Sequence, residues 1–183
     1  MNEADFSGAA ATAQATPILI APQAVLRQKG RVVRPEDMAT LREGLPGMFA
    51  AMYQAPGIGL AAPQIGISMR YAIVDLGEED AREPIVLINP EIISESEVLH
   101  SREEGCLSLP NQYAEVVRPE AVRVRYMSLA GEQIERDVDG LLATCIQHEI
   151  DHLDGVLFVD HLSALRRNMI LRRLAKEQKA KRG

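Results

Sequence analysis

The pentapeptide His148-Glu149-Ile150-Asp151-His152 puts two imidazoles and a carboxylate where one divalent metal and one water molecule could meet. Residues four apart on a helix share a face about one turn apart. Both rings can therefore reach a single ion, with Glu149 beside it within reach of a metal-bound water. The bland alternative is two histidines on a wet helix face. Against it, Leu141, Leu142, Cys145, Ile146 and Leu153 make this the most apolar helical stretch of the chain, and buried imidazoles need partners. Two ligands leave a site incomplete, so function turns on the third and on whether a coordination position stays open.

One class of zinc proteases extends this motif as H-E-x-x-H-x-x-G-x-x-H. The chain follows that pattern through Gly155 and then has Phe158, which cannot bind a metal, at the last histidine. His161, Cys145 and Cys106 remain as candidates. His161 follows Asp160 in a polar turn, where an exposed histidine needs no explanation. Cys145 shares the face of the pair, but about 10 Å of helix axis separates it from His152 at ~1.5 Å per residue. One ion with bonds of about 2.0–2.3 Å cannot span that distance, so Cys145 reads as a small apolar wall residue. Cys106 lies in Glu104-Gly105-Cys106-Leu107-Ser108-Leu109-Pro110, where Gly105 permits a close backbone approach. Metal binding would favour its thiolate; an inert buried cysteine is the alternative.

These residues need elements to hold them. The motif helix is expected over Gly140–Leu153, stopping near Gly155. Pro35, Glu36 and Asp37 open an earlier helix whose apolar stripe is Met38, Leu41, Leu45, Met48, Phe49 and Met52. Pro46-Gly47 predicts a kink there, or two helices end to end. Pro17 to Val33 reads as an extended arm with short β segments. Strands are expected at Tyr71–Asp75, Ile85–Asn89, Ile92–Leu99, Val116–Met127 and Glu132–Val138. The last two flank a Leu129-Ala130-Gly131 turn, and Gly77–Pro84 reads as a polar loop. A basic helix from Leu162 to about Lys181 closes the chain. The sum is one α+β domain, antiparallel strands around a central metal-binding helix with a C-terminal helix. Its catalytic part is 17–183, preceded by a flexible tail over 1–16.

Composition bounds the function. At 183 residues, the chain fits one domain with a real core, and no apolar run approaches the roughly 18 residues of a membrane span. Two cysteines make no disulfide framework. The first sixteen residues carry Glu3 and Asp5 and no Lys or Arg, unlike a secretory or transit segment, which points to the cytoplasm. From Leu162 onward Arg166, Arg167, Arg172, Arg173, Lys176, Lys179, Lys181 and Arg182 face a single acid, Glu177. That +7 segment leaves −13 on the rest of a chain whose net charge is −6. A basic helix on an acidic body suggests a dock for a polyanion such as RNA; a solvated helix end is the plainer reading.

A third segment, Gly57-Ile58-Gly59-Leu60-Ala61-Ala62-Pro63-Gln64-Ile65-Gly66, lacks the lysine of a phosphate loop and follows a helix, which argues against a nucleotide site. Taken together, the three segments resemble peptide deformylase, whose motifs G-x-G-x-A-A-x-Q, E-G-C-x-S and H-E-x-D-H are all matched. The likeness runs from about Pro17 to the C-terminal helix.

The resemblance implies a metal-dependent hydrolase that removes the formyl group from N-terminal formylmethionine of nascent chains, releasing formate. It implies Cys106, His148 and His152 as ligands, with Fe²⁺ native and Zn²⁺, Ni²⁺ or Co²⁺ as replacements; ligand types alone would suggest zinc. Glu149 matches the general base and acid, and Gln64 the oxyanion donor together with the Leu107 backbone N–H. Ile58 and Gly59 would pair with the substrate main chain. Leu141, Thr144, Cys145 and His148 would border the methionine pocket, and Gly105 and Tyr113 would also contact substrate. Glu104 and Arg118 are expected to pair in support of the Cys106 loop. The ribosome is implied as a partner of the C-terminal helix; neither membrane nor DNA is. The chain departs from the family at Tyr113, where some members carry arginine, at Thr144, and at Pro46-Gly47. Two other readings are a metalloprotease cutting unformylated peptides and a non-catalytic ribosome-associated factor with a four-ligand structural metal.

Overall fold

The computed structural model describes residues 1–77 and 81–181; residues 78–80 of the expected polar loop and Arg182 of the basic segment lie outside them. Four α-helices, α1 (Glu3–Ala9), α2 (Met38–Gln54), α3 (Gly140–Leu153) and α4 (Ala164–Ala180), accompany seven strands. β1 (Gly59–Ala61), β2 (Tyr71–Val74), β3 (Ile85–Glu95), β6 (Ala121–Met127) and β7 (Gln133–Asp139) form one antiparallel sheet in the order β1-β2-β3-β6-β7. β4 (Leu99–Cys106) and β5 (Leu109–Pro119) pair as a separate hairpin. The fold is α+β, in one domain.

Side chains alternate across a strand, and helices cover both faces of the five-stranded sheet. Tyr71, Ile73, Val86 and Ile88 meet Leu45, Met48, Phe49 and Met52 of α2. On the other face Val74, Leu87, Val122 and Val124 meet Ala143, Cys145, Ile146 and Ile150 of α3. Strand β2 is buried at all four positions for that reason. The hairpin β4-β5 and α4 share a third core built on Leu109, Val116, Phe158 and Leu174.

Helix α3 has the expected bounds. At its end Gly155 takes φ +75°, and its N–H donates to His152 O while Val156 N–H reaches back to Asp151 O. That pair of bonds is a Schellman stop. A Cβ at Gly155 would also lie 2.7 Å from the Arg27 carbonyl. Helix α2 runs unbroken through Pro46 rather than dividing there. A Cβ at Gly47 would sit 2.7 Å from Thr16 Oγ1, and Thr16 N–H donates to Gly47 O. Pro46-Gly47 is thus where the incoming N-terminal segment crosses the helix.

Several expectations need correction. Residues 1–16 are not a loose tail: Asn2 and Asp5 cap α1 reciprocally, and Phe6 and Ala10 are buried in the α2 core. The arm before Val33 forms only a single bridge, Arg31 to Met69, and a 3-10 turn at Ala24–Arg27. Ile85–Glu95 is one strand, carried past Asn89 (φ +51°) by a bulge whose amide bonds both the N–H and C=O of Val33. Leu99 begins a new strand, and Pro119 divides the expected Val116–Met127 strand in two.

Candidate functional site

Helix α3 and the end of β4 bring three donor atoms together. Cys106 Sγ lies 3.2 Å from His152 Nε2, which is 3.2 Å from His148 Nε2, and all three lie within 4.8 Å of one another. Bonds of about 2.0–2.3 Å at tetrahedral angles would set ligand atoms roughly 3.3–3.7 Å apart. Glu104 Oε2 lies 3.0 Å from His148 Nδ1, which directs the proton to Nδ1 and the Nε2 lone pair inward. A thiol and two ring nitrogens, each able to ligate a metal, thus converge on one place. The residues fit a metal.

Burial disfavours a charged His148, yet bonds to Cys106 and Glu104 hold its pKa well above the ordinary value. His152 is pushed well below it by burial and then by the charge on His148. Burial would raise Glu104 too, but bonds from His148 and Arg118 outweigh it and bring the carboxyl down to about 2. Arg118 grips Glu104 through Nε at 2.6 Å and Nη2 at 3.0 Å. This is the expected pair, and both residues are buried. Arg118 Nη1 also donates to Asp151 Oδ2 at 2.8 Å, a contact that the local spacing did not reveal.

Glu149 is the next residue on the helix. Burial raises its pKa to about 7, and its Oε2 has no hydrogen-bond partner among the described residues. A Cβ at Gly59 would fall 2.3 Å from Glu149 Oε1 and 2.8 Å from Cys145 Sγ. Only glycine lets β1 pass so close to the carboxylate. Gln64 is 1% exposed and fixed at both ends: its Oε1 accepts from Ala61 N–H at 2.8 Å, and its Nε2 donates to Ser108 Oγ at 3.1 Å. The Ala61 N–H can only donate, which settles the orientation of the amide. Its Nε2 then stands 3.5 Å from Cys106 Sγ. Ser108, fully buried, is the holder that the motif contained but whose role its position did not disclose.

These groups open on a cleft of about 580 Å³ between β1 and the β4-β5 hairpin, with α3 as its floor. Ile58, Gly59, Gln64, Gly105, Cys106, Leu107, Tyr113, Leu141, Thr144, Cys145, His148 and Glu149 all line it; His152 lies behind them, 1% exposed. Cys145 is outside the converging triad, with Sγ 3.6 Å from Ile58 O. Burial, followed by the charge of Glu149, raises its thiol pKa well above normal. Tyr113 is exposed at the rim, its ring across Gly105: a Cβ there would be 2.6 Å from it. Asn111, Gln112 and Glu103 line the cleft as well without having been expected. Phe158, where a protease would place its third histidine, is buried and stacks on His148 with ring centroids 6.5 Å apart.

Residues 15–168 match the family model described as Polypeptide deformylase. A peptide deformylase of Agrobacterium fabrum is 48% identical over 90% of this chain and 97% of that protein. One from Mesorhizobium japonicum is 50% identical over 90% and 94%. The crystal structure of a peptide deformylase from Legionella pneumophila superposes with a TM-score of 0.81 at 44% identity, covering 91% of this chain and 97% of that one. A Synechococcus elongatus peptide deformylase, solved in complex with actinonin, gives 0.80 at 44% identity, with 86% of each chain covered.

Proposed function

The chain belongs to the peptide deformylase family, and from that footing we propose how its cleft performs the family's reaction, hydrolysis of the N-formyl group of N-terminal formylmethionine with release of formate. One observation carries the reading: Cys106 Sγ and the Nε2 atoms of His148 and His152 converge beside a buried glutamate with an oxygen that has no partner among the described residues. Cys106, His148 and His152 would hold a divalent metal, Fe²⁺ as the native ion, with Zn²⁺, Ni²⁺ or Co²⁺ able to replace it. Such an ion supplies Lewis acidity, polarising a carbonyl and acidifying water.

The chain's own groups do the rest. A formylmethionyl peptide lies along Ile58–Gly59 as an added strand, its methionine side chain toward Leu141, Thr144 and Cys145, and Gly105 and Tyr113 against its backbone. Glu149, with a pKa near 7 from burial, accepts a proton from the attacking water and returns it to the departing amine nitrogen. The Gln64 amide and the Leu107 N–H donate to the developing oxyanion, each worth about 3–4 kcal/mol in other hydrolases. Gln64 is held in advance by Ala61 and Ser108, so little reorganisation is needed.

Metal analysis beside a formyl-Met-Ala assay tests the ligand set. Cys106→Ala should lose both metal and turnover, and Cys145→Ala should keep its metal; the reverse pattern would reassign the third ligand. We place the reaction in the cytoplasm, in keeping with the absence, among the described residues, of a helix long and apolar enough to cross a membrane. We assign the ribosome to α4, whose Arg166, Arg172, Arg173, Lys176 and Lys179 are exposed. Truncation after Leu165 should weaken ribosome association and spare small-peptide turnover; equal affinity of both forms would remove this assignment.

A further inference from the structure

His161 is the one histidine outside the motif that reaches the site's supporting groups. Its Nε2 lies 2.8 Å from Asp151 Oδ2, the same oxygen that accepts from Arg118 Nη1 at 2.8 Å. Arg118 in turn forks onto Glu104, and Glu104 faces His148 Nδ1 at 3.0 Å. A continuous line of polar contacts thus runs from the His161 ring to a metal-ligating imidazole. Its inner members are enclosed: the side chains of Arg118 and Glu104 are 6% and 5% exposed, against 25% for Asp151 and 34% for His161.

The placement of His161 is not that of a loose surface ring. It ends the 3-10 turn Phe158–His161, whose Phe158 and Val159 are buried. Asp160 Oδ2 accepts from Leu157 N–H and pairs with Arg27, closing that turn on itself. The ring is therefore delivered to Asp151 by a fixed backbone. Asp151 needs such an anchor. Arg118 has two acid partners, Glu104 and Asp151, and a carboxylate free to turn at the solvent edge would let the guanidinium drift from the geometry that aligns Glu104.

We propose that His161 is a positioning residue for the metal centre: by pinning Asp151 it fixes Arg118, thereby Glu104, and thereby the plane and tautomer of His148. The proposal rests on the deformylase reading for its kinetic arm only. Partners that orient a metal-bound histidine change metal affinity about 10–100-fold when removed. His161 stands further out in the line, so a smaller change, about three- to tenfold, is expected.

The test uses the full chain loaded with Co²⁺. His161→Phe keeps a ring and removes the bond, whereas His161→Gln can still donate from its side-chain nitrogen. His161→Phe should shift the Co²⁺ d–d absorption, speed metal loss to a chelator about three- to tenfold, and lower kcat on formyl-Met-Ala with KM unchanged, because His161 does not line the cleft. His161→Gln should restore all three toward wild type. A wild-type spectrum and release rate in His161→Phe overturns the proposal, and so do equal losses in both variants, which would mean a merely structural role. If His161→Phe fails to fold, His161→Ala is read against His161→Gln in the same way. Failure of the wild-type chain to release formate would sink the functional reading while the spectrum and release rates still decide the role of His161.

Discussion

At the scale of residues, the site joins groups that local spacing announces and groups that it hides. The two histidines four apart and the glutamate between them were legible because each type carries its chemistry in short range. Cys106, about forty positions upstream, was distinguishable from an inert cysteine only through the family resemblance. The contacts of Ser108 and Asp151 were not legible, because their partners Gln64 and Arg118 sit on other elements, 44 positions away for Ser108 and Gln64 and 33 for Asp151 and Arg118. Gly59 bridges the two kinds: a motif glycine whose reason is the Glu149 carboxylate packed where its Cβ would be. Gly59→Ala should therefore displace Glu149 and lower kcat/KM by at least about a hundredfold, as ångström-scale misplacement does, with metal content retained. Formyl-peptide kinetics beside metal analysis checks this; turnover near wild type would mean that the carboxylate is not needed where it now stands.

At the scale of elements, helix α3 was readable to its ends because its boundary is written as Gly155 in the left-handed region. The β4-β5 hairpin was not, because it buries Glu104 and Arg118 on its inner face where a strand pattern expects apolar side chains. Each neutralises the other, and the pair stands in for a hydrophobic contact that periodicity would have caught. Helix α1 escaped notice because its buried face is little more than Phe6 and Ser7, with Ala10 just past its end. The start of α2 is held by charge: the Asp37 carboxylate accepts from Arg31 at 2.7 Å to each oxygen and from Arg34 N–H at 2.8 Å. The Arg31 bonds, then the Arg34 N–H, depress its pKa below the ordinary 3.8. A depressed folded-state pKa gives stability that is complete above the unfolded value and lost as pH falls through the folded one. The Tm gap between wild type and Asp37→Asn should thus be widest near neutrality and shrink below about pH 4. Thermal melts from pH 7 to 3 measure it, and a constant gap would rule the mechanism out.

At the scale of the whole molecule, a five-stranded sheet clamped between α2 and α3 offers its β1 edge to a cleft whose far wall is the separate β4-β5 hairpin. The α+β class followed from a run of strands set between helices, but the division into two sheets did not, because its local marks are only the breaks between Glu95 and Leu99 and at Pro119. That division lets β4 carry Cys106 across to α3 while β1 brings Gly59 to Glu149. The most direct test is formate release from formyl-Met-Ala by anaerobically prepared, Fe²⁺-loaded full chain, wild type against Glu149→Ala at matched metal content. The expected result is formate and free amine in equal amounts from wild type, with a loss of about 10²–10⁴ in kcat for the variant. Formate release by Glu149→Ala at a rate near wild type would contradict the account.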